Sequence, residues 1–267
     1  MTVMPSVEEP LLLFGCGNMG RAMLDGWLRG GIDPACFVVV DPHAGGFPSG
    51  VLQMEDSNKL DRKFATAVLA IKPQLFAETA ADIERLLKPD ALVFSILAGT
   101  RLATLEAALL ARSIVRLMPN LAAAIGKSPI GLVTSASIDR AAVEQLLKPL
   151  GTSYWLASED QMDAVTALAG SGPAFVYRFI DALAQAGNEL GLDAKTALGL
   201  ATSMVEGAAV LAASSSDAPE DLARRVTSPG GTTAAGLAVL DDGNAMKNLV
   251  LATLTSARDR GAELAKG

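Results

Sequence analysis

Chemically reactive side chains are scarce in this sequence. There is one histidine, His43, and there are two cysteines, Cys16 and Cys36. A metal cage of several His and Cys ligands is therefore excluded, and histidine-based triad chemistry has a single candidate. Aromatic residues make up only 4% of the chain, so the core must be aliphatic. Basic residues are outnumbered, 22 Lys and Arg against 29 Asp and Glu, for a net charge of −7. That balance speaks against a nucleic-acid-binding face, which needs clustered cations. No Lys or Arg precedes Arg21 and no apolar leader core is visible, so no secretory signal is expected. No uncharged run reaches the ~18 residues of a membrane-spanning helix. The longest, 226–240, contains Ser, Thr, Pro and three Gly. Two cysteines in a chain of 267 residues read as reduced thiols of a cytoplasmic protein. Any catalysis then falls mainly to a cofactor.

Apolar runs and helical patterns are abundant. At roughly 150 residues per domain the length suggests two domains. In the first half, short apolar runs at 11–14, 37–40, 67–71, 91–96 and 113–118 read as strands covered on both faces. Helical patterns at 18–29, 74–87 and 101–111 lie between them, which predicts a parallel, doubly wound sheet. The Gly- and Pro-rich stretch 42–57 lacks a clear helix. Segments 130–133, 141–147 and 152–156 complete this part. Near Ala157 the character changes. Ser158-Glu159-Asp160-Gln161 fits a helix capping box, and helical patterns rich in small residues run to the end. The expected organisation is a Rossmann-type α/β dinucleotide-binding domain over 1–157, then an all-α domain over 158–267.

Gly15-Cys16-Gly17-Asn18-Met19-Gly20 has the spacing G-x-G-x-x-G between a strand and a helix, with Asp41 about 20 residues on at the end of the next strand. Gly15 permits a tight turn, Gly17 lets a pyrophosphate approach the backbone, and Gly20 lets the helix pack on the sheet. The free N–H groups of the helix start then face the anion. The competing reading is a plain βα turn. A carboxylate at Asp41 suits an adenosine 2′-hydroxyl and repels a 2′-phosphate, which leans toward NADH while NADPH stays open. His43 is either a solvated loop residue or a phosphate contact. Cys16 is either a packed thiol or a thiolate favoured by the helix start.

Two small-residue breaks stand out in the second half. Thr227-Ser228-Pro229-Gly230-Gly231-Thr232-Thr233 puts hydroxyls and free N–H groups at a helix start, which suits a small carboxylate or merely caps the helix. Gly170-Ser171-Gly172-Pro173-Ala174 either admits a substrate or joins two helices.

These motifs, with Ile71-Lys72-Pro73-Gln74, residues 95–99 and Arg116-Leu117-Met118-Pro119-Asn120, resemble the pyrroline-5-carboxylate reductase family over nearly the whole chain. The resemblance implies reduction of Δ1-pyrroline-5-carboxylate to L-proline by NADPH or NADH. It implies an intertwined helical dimer, often assembled into a decamer. Asn18, Met19 and Gly20 match the pyrophosphate turn, and Asn58 an adenosine contact. Ala70, Ile71, Lys72 and Pro73, with Ile96, Leu97 and Ala98, match the strand ends that border the nicotinamide ribose. Glu159, Gly230, Gly231, Thr232 and Thr233 match the substrate site, with the Thr233 hydroxyl near the imine nitrogen. Leu97 departs from the small residue common there, which bears on pocket width. Lys72 and Arg116 each have a structural reading, as a solvated strand end and a brace of the sheet. A hydroxyacid dehydrogenase is disfavoured, because no Lys lies between Glu159 and Asn188. A related imine reductase and a non-catalytic dinucleotide-binding scaffold remain as alternatives.

Overall fold

The computed structural model describes residues 3–43, 45–110 and 113–264. It contains two compact units, Met1–Gly170 with Ala257–Gly267, and Ser171–Ser256.

The first unit is built on one eight-stranded sheet. Its elements are β1 (Leu11–Phe14), α1 (Asn18–Arg29), β2 (Phe37–Val40), β3 (Leu52–Met54), β4 (Phe64–Leu69) and α2 (Phe76–Arg85). Then follow β5 (Leu87–Ser95), α3 (Leu102–Ala108), β6 (Ser113–Met118), β7 (Ser128–Val133), α4 (Arg140–Leu147), β8 (Gly151–Trp155) and the short α5 (Met162–Val165). The strand order is β3-β2-β1-β4-β5-β6-β7-β8. The order reverses between β1 and β4, which pair in parallel with Leu12 opposite Ala67 and Phe14 opposite Leu69. In sheets of this kind that reversal opens a crevice at the carboxyl ends of the strands.

Alternation along β1 divides the core. Leu11 and Leu13 enter one apolar layer with Met23 and Trp27, while Leu12 and Phe14 enter the other with Phe76 and Ile83. Trp27 is fully buried, stacks on Phe37 at 5.7 Å and donates its Nε1 hydrogen to the Leu146 carbonyl at 2.8 Å. The indole N–H is thereby satisfied.

Two features differ from the sequence expectation. The sheet is mostly parallel, but β7 runs antiparallel to β6. The link 119–127 is shorter than the roughly dozen residues a parallel crossover needs, and it holds only the 3₁₀ turn Leu121–Ile125. The stretch read as irregular also contains β3, a three-residue edge strand on β2 with Leu52 exposed. The 101–111 helix pattern is realised as α3, and its end at Ala111 lies outside the described residues.

The compact units divide at Gly170/Ser171, later than the change of character at 157/158. The capping box forms, with Gln161 Oε1 accepting the Ala157 and Ser158 N–H groups at 2.9 and 3.4 Å. Beyond it, Met162 and Ala167 are buried, and a Cβ on Gly131 would lie 2.6 Å from Val165 Cγ1. Packing therefore assigns 159–170, including the π-helical turn Thr166–Gly170, to the sheet unit.

The second unit carries α6 (Gly172–Glu189), α7 (Ala194–Ser214), α8 (Pro219–Arg225), α9 (Thr232–Asp241) and most of α10 (Ala245–Leu264). Its helices leave large apolar side chains such as Leu190, Leu211 and Val239 exposed. By length and composition α7 is apolar enough to cross a membrane, although it contains Lys195 and Glu206.

Candidate active site

The glycine turn lies at the reversal of strand order. Gly15 donates its N–H to the Val40 carbonyl at 2.8 Å and has a φ of +88°. A Cβ there would meet the Ala70 backbone at 2.7 Å. A Cβ on Gly20 would lie 2.9 Å from the Gly15 carbonyl oxygen and 3.1 Å from Ala70 Cβ. The first and third glycines thus let α1 cross tightly over the ends of β1 and β4. Gly17 is different. It caps α1 with no side-chain hydrogen bond, and nothing lies within 4 Å of a Cβ built on it. The first-turn N–H groups of α1 are left for a ligand anion, beside the exposed Asn18. Met19 packs against the core.

Asp41 is fixed beside this turn. Its Oδ2 accepts the Cys16 N–H at 2.6 Å and its Oδ1 accepts the His43 N–H at 2.8 Å. Two hollows share Cys16 and Gly17. One, of about 510 Å³, includes Asn18, Arg21, Leu121 and Ala124. The other, of about 620 Å³, includes Asp41, Glu55, Asp56, Ile71, Lys72 and Asp82. Arg21 is committed to Asp25 at 2.8 Å, lies over the Phe47 ring and donates to the Gly45 and Gly46 carbonyls. Cys16 is a packed thiol. Burial, with the Asp41 carboxylate adding, pushes its pKa up to about 12.

The other expected cofactor residues are placed as follows. Ala70 and Ile71 end the β4 region against the turn, with the Ala70 N–H on the Phe14 carbonyl at 2.8 Å. Lys72 is exposed, and Pro73 opens a 3₁₀ turn. Ile96 continues the ladder through its N–H to the Leu69 carbonyl at 3.1 Å, and Ala98 is exposed. Leu97 is 2% exposed and points into the core, so its bulk does not narrow the crevice. Asn58 is not among the residues that line the hollow. Its Oδ1 accepts from Arg85 at 3.4 Å, its N–H is held by Asp56, and Ser57 lines the hollow instead. Glu55, Asp56 and Asp82 were not singled out by the sequence. Only pairing of β3 on β2 brings the first two here.

Arg116 and Glu159 form a buried brace. Arg116 donates from Nη1 to Glu159 Oε1 at 2.6 Å, with side chains 5% and 16% exposed. The same Oε1 accepts the Leu102 N–H at 2.6 Å, and Arg101 reaches Oε2 at 3.4 Å. A substrate contact at Glu159 would have to displace these partners. Asn120 adds a second tie, from Nδ2 to the Ala169 carbonyl at 2.9 Å.

In the second unit, the 228–233 turn closes through the Gly231 N–H on the Ser228 carbonyl at 3.0 Å, with Gly230 at φ +70°. Gly231 caps α9 without a side-chain hydrogen bond. Thr232 and Thr233 are exposed on the first turn. This is a second open helix start, furnished with hydroxyls.

Known proteins match the chain over nearly its whole length. Residues 159–264 match the family model for pyrroline-5-carboxylate reductase dimerisation. A pyrroline-5-carboxylate reductase from Pseudomonas aeruginosa is 37% identical over 97% of this chain and 98% of its own. The chain belongs to the pyrroline-5-carboxylate reductase family. The solved structure of a family member from Coxiella burnetii is 31% identical, with a TM-score of 0.88 over 96% of this chain and 98% of its own. That of a Plasmodium falciparum pyrroline carboxylate reductase with NADP bound is 26% identical, with a TM-score of 0.83 over 96% and 98%.

Proposed function

We propose that this chain reduces Δ1-pyrroline-5-carboxylate to L-proline with NADH or NADPH. The observation that carries the reading is the pair of open helix starts in one family member, one at Gly17 and one at Gly231. The first fits a dinucleotide. It has bare N–H groups for the pyrophosphate, no Cβ in the way at Gly17, and an acid at the end of β2. Gly15, Gly17, Asn18, Met19 and Gly20 would hold the pyrophosphate, and the strand ends at Ala70–Pro73 and Ile96–Ala98 would border the nicotinamide ribose. When bound, the nicotinamide supplies the hydride that adds to C5 of the imine.

The chain itself has to orient the substrate and manage one proton. Gly230, Gly231 and Thr232 hold the carboxylate at the start of α9, where N–H groups and the helix dipole favour an anion. The Thr233 hydroxyl lies against the ring nitrogen and keeps it protonated, the state in which C5 is most electrophilic. No strong base is required, which accounts for an inventory of one histidine. Glu159 acts through Arg116 and the α3 start as a brace. Thr233→Ala is expected to lower kcat/KM by about a hundredfold, with dinucleotide affinity unchanged. An unchanged kcat/KM removes this role from Thr233. Tight dinucleotide binding without turnover of pyrroline-5-carboxylate favours the scaffold alternative.

In this reading the chain works as a homo-oligomer in the cytoplasm. Residues 158–267 form the dimerisation and substrate domain, and dimers assemble further into a decamer. The apolar surface of α7 then faces protein and not lipid, and nucleic acid plays no part. The free thiols Cys16 and Cys36 suit a reducing compartment.

A further inference from the structure

We propose that this reductase selects NADH over NADPH by carboxylates arranged around the end of β2, with Asp41 as the discriminating residue. The inference rests on the reductase reading above and names which of its two cofactors the site takes.

Asp41 cannot easily swing aside. Both carboxylate oxygens accept backbone N–H groups, from Cys16 within the glycine turn and from His43 beyond the strand. Rotating the acid away to admit a 2′-phosphate would leave two N–H groups without these bonds and loosen the turn that holds the pyrophosphate. The surroundings add charge of the same sign. Glu55, Asp56 and Asp82 line the hollow with Asp41, against the Lys72 ammonium and the His43 imidazole. No Lys or Arg occurs in the sequence between Asp41 and Asn58, the segment that follows β2. Arg21 is engaged by Asp25 and the Gly45 and Gly46 carbonyls. A 2′-phosphate would bring about −1.5 to −2 further charge to this rim, whereas a 2′-hydroxyl can donate to a carboxylate.

The test is direct binding of NADH and NADPH to the full-length protein by titration calorimetry, with ADP-ribose and its 2′-phosphate as probes that carry no nicotinamide. NADH and ADP-ribose are expected to bind at least ~10-fold more tightly than their 2′-phosphorylated counterparts at low salt, with the gap narrowing as ionic strength rises. Asp41→Asn should shrink the gap, chiefly by improving NADPH. Because that variant also touches the glycine turn, the triple variant Glu55→Gln, Asp56→Asn, Asp82→Asn provides a second probe. It leaves the Cys16 and His43 bonds intact and should improve NADPH a few-fold more than it improves NADH, whose pyrophosphate feels the same rim. Equal or tighter binding of NADPH by the unaltered protein overturns the proposal, as does a gap that neither variant changes. If neither dinucleotide binds, the preference and the reductase reading fall together. A clear NADH preference without reduction of pyrroline-5-carboxylate removes the reductase reading and leaves the preference standing.

Discussion

In the sheet unit Leu11, Leu13, Trp27, Phe37 and Phe94 are fully enclosed by their own chain. In the helical unit the buried apolar side chains among the described residues are alanines, Ala184, Ala197 and Ala201, while Leu190, Leu211 and Val239 are more than half exposed. Both units are rich in apolar residues, so composition does not separate them. The separation comes from layering. A sheet flanked by helices can enclose alternate residues on both faces. Helices such as α7, with apolar residues on most sides, require another surface to cover them. An apolar surface of this extent is unusual for a protein that works alone. The unit with the weaker core of its own is the one matched by the family's dimerisation model.

The largest expected effect tests that contrast directly. Leu211→Glu puts a charge on the exposed face of α7 and should raise the dissociation constant of the oligomer by ~100-fold or more, measured by light scattering over a dilution series. An unchanged mass at all concentrations breaks the contrast. A second effect belongs to the sheet unit. Arg116→Ala leaves the half-buried Glu159 without its buried cationic partner and should cost about 3–5 kcal/mol in urea unfolding. The pair Arg116→Met with Glu159→Leu should recover most of it. A loss below about 1 kcal/mol would mean that solvent already screens the brace. A third effect is kinetic. With its thiol raised from 9.0 to about 12, Cys16 holds roughly a thousandfold less thiolate at pH 8 than an unperturbed cysteine. Alkylation of the native protein should be correspondingly slow and rise about tenfold per pH unit through pH 10. Fast labelling at pH 8 would show that the turn opens readily.

Much of the sheet unit was legible because its signals are local. Leu-Leu-Leu-Phe before Gly15 marks β1, and the 18–29 pattern coincides with α1. The antiparallel β7 was not legible, since strand direction depends on the length of the 119–127 link and not on the apolar pattern. Three-residue β3 leaves too short a trace, and with it went Glu55 and Asp56 as neighbours of Asp41. The glycine turn was readable because steric needs fix residue types at fixed spacing. The pairing of Arg116 with Glu159 was not, because nothing in the chain announces a contact across 43 positions. Leu97 carries a similar lesson. Its neighbour Ile96 packs against one core layer while Leu97 enters the other. Side-chain direction at the strand end, and not size, decides what reaches the crevice.

The bond from the Cys16 N–H to Asp41 also bears on timing. It spans 25 positions and staples the glycine turn to the end of β2 using this chain's own groups. The phosphate loop is therefore shaped before any nucleotide arrives. Ordering entropy that a floppy loop would lose at each encounter is already lost on folding. Association then needs no loop-closing step at this end of the dinucleotide, and nucleotide exchange is governed by how quickly the ligand leaves.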